Sequence, residues 1–203
     1  MEQKTSFKAK TARAILSELY DWSESIIAAL VAVIMVLTFV VRATVVDGNS
    51  MLPTLTDSQF LALSRIYGSL QHNDIVVIYA KNIEAERGVF GKPIIKRIVG
   101  LPGDTINIDF DEGVVYRNGE ALPQEVSDGF IHEDGHLIND YTKRRLSMEG
   151  EVAVPENSVF VMGDNRNDSL DSRDSAVGMV DMNYIVGKVL FRLTPFNKFG
   201  AVR

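Results

Sequence analysis

The run Ile26-Ile-Ala-Ala-Leu-Val-Ala-Val-Ile-Met-Val-Leu-Thr-Phe-Val-Val41 holds sixteen residues without a charge and divides the chain into two parts with different physics. A helix that crosses the hydrocarbon core of a bilayer takes roughly 17–25 apolar residues. The flanks supply the difference: Trp22 and Ser25 precede the run, and Ala43-Thr44-Val45-Val46 follow Arg42. Trp22 suits one membrane interface, and Arg42 can extend its guanidinium to the other. The run is therefore expected to be a membrane anchor over 26–46. A secretory signal peptide has a shorter apolar region and a small-x-small cleavage site, whereas Arg42 and Val45-Val46 stand here; a buried core helix is the remaining competitor. Lys4, Lys8, Lys10 and Arg13 precede the run, so a cytoplasmic segment at 1–25 and an outer-face domain at 47–203 follow from the positive-inside rule.

Beyond the anchor the pattern turns short and extended. Residues 60–66, 74–79, 93–99, 114–116, 158–162 and 186–193 read as strands rich in β-branched residues. Pro102-Gly103-Asp104, Asn118-Gly119 and Pro155-Glu156-Asn157 punctuate them. Val114 to Leu122 predicts a hairpin, since Asn-Gly accepts the positive φ angles of a tight turn. No long amphipathic helix follows residue 47, so the expectation is a mainly β domain of antiparallel strands. Residues 123–150 mix acidic residues, glycines and Lys143-Arg144-Arg145, which reads as a polar insertion or small cap.

Composition bounds the function. The 203 residues carry a net charge of −6, without the basic footprint of a nucleic-acid binder. There is no cysteine, which excludes disulfides, thiol nucleophiles and thiolate metal sites.

Three segments place unusual polar residues beside strong turn formers. In Val46-Asp-Gly-Asn-Ser-Met-Leu-Pro-Thr-Leu55, Ser50 sits on a shaped loop that can present its hydroxyl to a substrate; taken alone the signal is weak, and a structural turn serine is the commoner reading of it. In Lys92-Pro-Ile-Ile-Lys-Arg-Ile-Val-Gly-Leu-Pro-Gly-Asp104, strand alternation puts Ile94, Lys96 and Ile98 on one face and Ile95, Arg97 and Val99 on the other. One base must then face apolar surroundings, where desolvation lowers a lysine pKa and leaves an amine able to take a proton. The alternative is an edge strand with both bases reaching water. The third segment, Met162-Gly-Asp-Asn-Arg-Asn-Asp-Ser-Leu-Asp-Ser-Arg173, is dense in short polar groups of the kind that bond their own backbone and pair their own charges.

In order and wording these segments resemble the motif boxes of bacterial type I signal peptidases: SMLPTL, KRIVGLPGD and GDNRNDSLDSR. The resemblance covers the anchor and nearly all of 42–193. It implies a barrel-like antiparallel catalytic domain behind a single anchor, and a membrane-bound serine endopeptidase that removes signal peptides with small residues before the cut. It implies Ser50 as nucleophile, Lys96 as unprotonated base and Ser169 as the hydroxyl that positions the lysine amine. Arg97 with Asp164, and Asp171 with Arg173, become bracing ion pairs; Met51, Leu55, Ile94 and Ile95 become lining of the substrate pockets. Some relatives carry a serine two residues before the nucleophile. Gly48 stands there in this chain, as in Gram-positive forms, and leaves the second oxyanion donor open. The expected partners are preprotein signal peptides and the lipid bilayer, with no cofactor and no metal. Two other readings compete: a self-cleaving regulator, which would need a DNA-binding module, and a signal-peptidase-like assembly factor without proteolysis.

Other signals lead elsewhere. His132-Glu-Asp-Gly-His136 has the spacing of metal ligands but a glycine inside it and no helical pattern around it. Asp164 to Asp171 has Arg166 and Ser169 where a calcium loop needs a ligand and a glycine. Gly88 to Lys92 lacks the length and the hydroxyl of a phosphate loop.

Overall fold

A computed structural model describes residues 2–79, 93–110, 114–123 and 150–202, with side chains from residue 18 on. The cap expected at 123–150 and the histidines of 132–136 therefore lie outside the described residues, apart from Pro123 and Gly150. The chain forms two compact units, 1–41 and 42–203.

The first unit is one helix, α1 (Glu2–Phe39), of 38 residues. Its Glu18–Phe39 stretch has a mean hydropathy of 2.1 with none of it buried. It is long and apolar enough to cross a membrane. Its end differs from the expected 26–46: helix stops at Phe39, and Val41–Val45 is already strand β1. β-Branched side chains are stiff in a helix and at home in a pleat, so Val41, Thr44 and Val45 join the sheet beside β2.

The second unit is mainly β. Its strands are β2 (Phe60–Ser64), β3 (Ile75–Tyr79), β4 (Pro93–Gly100), β5 (Thr105–Asp109), β6 (Val114–Arg117), β7 (Glu120–Ala121), β8 (Val152–Ala153), β9 (Ser158–Met162), β10 (Val180–Asp181), β11 (Ile185–Arg192) and β12 (Gly200–Ala201). The large sheet runs β1-β2-β11-β3-β4-β9-β10, with β12 on β11; the small sheet runs β7-β6-β5-β8. Every pairing whose register is resolved is antiparallel, and register shifts break β11 and β4. Such bulges bend a strand and sharpen its twist.

All six expected strands form. The hairpin joins β6 to β7 through Asn118 and Gly119, at φ 53° and 80°. Among the described residues after 47, helix occurs only as 3-10 turns, at Met182–Tyr184 and Phe196–Lys198. β4 lies between β3 and β9, so Lys96 and Arg97 sit mid-sheet, not on an edge.

Alternation along β4 sorts the core. Ile98 and Ile94 pack with Val76, Ile78, Val159, Val161 and Ile185. Ile95 packs with Val46, Met51, Leu55, Leu61, Leu63, Val77 and Val189. Val99, with Phe160 and Met162, meets Ile106, Ile108 and Val115 of the small sheet.

Candidate active site

The Ser50 turn begins where Val46 pairs across the chain: its N–H reaches Gln59 C=O at 2.9 Å and its C=O accepts from Ser58 N–H at 2.9 Å. Inside this neck, Leu52 N–H bonds Asn49 C=O at 3.1 Å and Leu55 N–H bonds Met51 C=O at 2.8 Å. Met51 and Leu55 are driven into the core, which leaves Ser50, just before them, on the groove side facing Lys96. The 163–174 loop holds the turn from the other side. Asn165 N–H donates to Ser50 C=O at 3.0 Å, and its side-chain amide donates to Asn49 C=O at 3.2 Å. A Cβ at Gly163 would collide with the Ser50 carbonyl oxygen and with Ser169 Oγ. Only glycine fits that approach.

Lys96 is 3% exposed, and its Nζ donates to Ser50 Oγ at 2.7 Å. Burial pushes the amine down to a pKa of about 8, helped by Arg173 and opposed by the carboxylates of Asp171, Asp164 and Asp168. A desolvated ammonium loses its hydration, and the carboxylates here restore only part of it. At pH 7 about a tenth of the amine is then neutral, and about half at pH 8, against well under a thousandth at pH 7 for an ordinary lysine.

Two buried ion pairs brace this arrangement. Arg97 meets Asp164 through Nε and Nη2, each at 2.7 Å, and gives Nη1 to Asn73 C=O at 2.8 Å. Arg173 meets Asp171 through Nε at 2.8 Å and Nη2 at 2.9 Å. Asp171 also accepts from Gly163 N–H at 2.9 Å. Burial works against the Asp171 charge, yet Arg173 and the Gly163 amide overcome it and hold the carboxyl below its usual range. Breaking one member of such a pair strands a charge in the interior.

A groove of about 300 Å³ runs past the pair, lined by Val45, Gly48, Ser50, Met51, Ile94, Ile95 and Lys96 among others. A larger cavity of about 700 Å³ has neither Ser50 nor Lys96 on its wall; it lies by His72, Asp74, Arg97 and Lys188. Shape alone would favour the larger one, but the contact between Ser50 and Lys96 lies on the wall of the smaller.

Residues 19–194 match the family model for signal peptidase, peptidase S26. This chain belongs to that family. It is 36% identical over 166 residues to signal peptidase I of Bacillus caldolyticus, covering 79% of this chain and 84% of that one. It is 33% identical over 186 residues to signal peptidase I S of Bacillus subtilis strain 168 (88% and 90%). With signal peptidase IB of Staphylococcus aureus the identity is 31% over 189 residues (90% and 93%). A solved signal peptidase I from Enterococcus faecalis V583 is 27% identical, with a TM-score of 0.46 over 61% of this chain and 98% of that one.

In this signal peptidase family member, the fold brings together Ser50, Lys96, Gly48, Met51, Ile94 and Ile95 along one groove. Leu55 is elsewhere: it is fully buried in the core behind the turn and not on the groove wall. Ser169 also differs from expectation. Its Oγ is buried against Gly163 without a hydrogen bond of ordinary geometry, although near enough to Asp171 to be the least of the influences lowering that pKa. The Lys96 amine is held by Ser50 instead. Reading the sequence missed Asn165 and Gly163 as the clamp on Ser50, and Asp168 and Leu170 as groove lining. The dense polar loop signalled their neighbourhood; which member touched Ser50 depended on a contact more than a hundred residues away in the chain.

Proposed function

We propose that this chain is a membrane-anchored serine endopeptidase that removes signal peptides from exported preproteins, with Ser50 as nucleophile and Lys96 as general base. The observation that carries the reading is the 2.7 Å contact between a buried lysine amine of pKa about 8 and a serine hydroxyl. Such a lysine is a base only once deprotonated, and burial supplies that condition.

The neutral Lys96 amine takes the Ser50 proton as Oγ attacks the scissile carbonyl carbon. The resulting ammonium gives that proton to the departing amine, leaving an acyl-enzyme on Ser50. Lys96 then takes a proton from water, whose oxygen attacks the ester carbonyl, and returns it to Ser50 as the acid leaves. The Ser50 N–H, which bonds no carbonyl among the described residues, is the donor offered to the oxyanion. Arg97–Asp164 and Asp171–Arg173 hold β4 and the 163–174 loop in register with the turn, and Ser169 fills the space against Gly163.

Substrate lies extended in the groove, with small side chains at the first and third positions before the cut meeting Met51, Ile94 and Ile95. The 22-residue apolar stretch of α1 serves as the single anchor. Its basic leader (Lys4, Lys8, Lys10 and Arg13) stays cytoplasmic, and the β domain lies outside.

The test is cleavage of a preprotein whose signal ends in Ala-x-Ala by detergent-solubilised wild type, Ser50→Ala and Lys96→Ala. Cutting after the last Ala by wild type alone supports the reading. Equal cutting by all three, or none by a folded wild type, refutes it.

A further inference from the structure

The turn that carries Ser50 has a tie that takes no part in the Ser50–Lys96 contact. Gly48 has φ +89°, and its N–H donates to Asp57 Oδ1 at 2.7 Å. The other carboxylate oxygen accepts from Ser58 Oγ at 2.8 Å. The Gly48 amide, followed by the Ser58 hydroxyl, holds Asp57 below its usual carboxylate range. Asp57 stands at the far side of the neck formed by Val46, Ser58 and Gln59, so its carboxylate spans the loop from one end to the other.

The position of that bond matters more than its exposure suggests. Gly48 lines the groove, and a Cβ there would meet nothing within 4 Å. No packing on the groove side steadies the backbone two residues before Ser50. Asn165 fixes the carbonyls of Asn49 and Ser50; among the described residues, the Gly48 amide is fixed by Asp57 alone. The Gly48 N–H belongs to the Asp47–Gly48 peptide unit, so the Asp57 bond fixes where the chain enters the turn, upstream of the Asn49–Ser50 unit that Asn165 holds.

Resting on Ser50 as nucleophile, we propose that Asp57 is a positioning residue: its carboxylate locks the Asp47–Gly48 peptide unit at the entry of the turn, so that the segment Asn165 grips from the other side keeps Ser50 Oγ on Lys96. The Gly48 N–H is thereby committed to Asp57 and is not the second oxyanion donor. Misplacement of a reacting group by about an ångström costs up to about a hundredfold in rate, and one end of one short turn is at stake here.

The experiment uses the full chain in detergent with the Ala-x-Ala preprotein, and compares Asp57→Ala, Asp57→Asn, Ser58→Ala and Ser50→Ala. Asp57→Ala should lose about tenfold in kcat with KM within about twofold, the pattern of an interaction made in the transition state. Its pH midpoint should stay with wild type, because Lys96 is untouched. Asp57→Asn keeps an oxygen acceptor and should recover most of the loss; Ser58→Ala should fall by no more than about threefold. Asp57→Ala with wild-type kcat, or equal losses in Asp57→Ala and Asp57→Asn that track a lowered Tm, would overturn the proposal. If Asp57→Ala does not fold, Asp57→Glu is read the same way, since it moves the same charge by one methylene. An active Ser50→Ala would instead sink the reading on which the proposal rests.

Discussion

The two packed regions of the β domain solve burial in opposite ways. Where the small sheet meets the large one, Val99, Ile106, Ile108, Val115, Phe160 and Met162 make a core of hydrocarbon and one thioether. Its polar groups (Asp104, Asn118, Thr105) sit at the rim, where Asn118 Oδ1 accepts from Thr105 N–H and Asn118 Nδ2 donates to Asp104, each at 2.8 Å. A few residues away along β4 and β9, the interior contains Lys96, Arg97, Asp164, Asp171 and Arg173, none more than 3% exposed. Four of these pair with one another and the fifth does not. The first region is what stability alone selects. In the second, burial works against folding, and it lowers the pKa of the Lys96 amine that the proposed mechanism uses. Transferring an ammonium out of water is costly unless a partner compensates, and the carboxylates here raise the Lys96 pKa without restoring it to 10.5.

The largest effect expected from this contrast is at Lys96 itself. Lys96→Met should abolish cleavage, by about a thousandfold or more, and yet melt higher than wild type. The unfolded chain holds the amine proton up to the ordinary lysine value of 10.5, while the folded site releases it at about 8. The penalty is therefore complete below about 8 and fades as pH rises toward 10.5. At neutral pH it amounts to about 3 kcal/mol at most, each pKa unit corresponding to about 1.4 kcal/mol. Melting curves at pH 7 and 10.5 should show the gain at the first and its near loss at the second. An equal gain at both, or none at either, would remove the contrast. For wild type the same pKa puts the acid limb of kcat/KM near pH 8, with activity falling below it.

The paired charges should behave differently. Asp171→Asn leaves the Arg173 guanidinium buried without its counter-charge, a loss of about 3–5 kcal/mol. It also removes the strongest influence raising the Lys96 pKa, so whatever folds should keep working at lower pH than wild type. Ile106→Ala, in the hydrocarbon region, should cost about 2–4 kcal/mol through lost contacts and a cavity with no shift of the pH profile. Chemical denaturation together with pH–rate profiles separates the two. A profile that moves equally in both variants would mean that the regions are not electrostatically distinct.

The sequence carried these regions unequally. β3, β4 and β9 were legible as β-branched runs, and alternation along β4 sorted Ile94, Lys96 and Ile98 from Ile95 and Arg97 before any pairing was known. β5 went unread although Thr105-Ile106-Asn107-Ile108-Asp109 alternates cleanly; its polar residues are turn formers, and Pro102-Gly103-Asp104 just before it drew the segment into a loop. The apolar helix ends at Phe39 and not at residue 46: Val41 and Val45 are as apolar as the helix before them, and only their place in the sheet beside β2 separates them. At the site, motif resemblance supplied Ser50, Lys96 and both ion pairs. It put Leu55 on the groove wall, where the turn buries it, and it could not supply Asn165 or Asp57. Asn165 reaches the Asn49 and Ser50 carbonyls and Asp57 the Gly48 amide, and a main-chain partner leaves no mark on side-chain patterning.

The smallest expected effect tests whether the rim of the hydrocarbon region is as inert for function as the contrast requires. Asn118 occupies φ 53°, a left-handed position that asparagine tolerates better than most residues. Its side chain joins the β5 end to the hairpin through Thr105 and Asp104. Asn118→Ala loses both bonds and adds some backbone strain, together about 1–2 kcal/mol. Asp104 keeps His72 at 2.7 Å and the Leu101 N–H at 2.8 Å, so its carboxylate is not left bare and the small sheet should stay in register. Expected readings are a Tm lower by a few degrees, and a kcat, KM and acid limb indistinguishable from wild type. A change in kcat at unchanged Tm would show that the small sheet steers the Ser50 groove after all, through β4, the strand that carries both Val99 and Lys96.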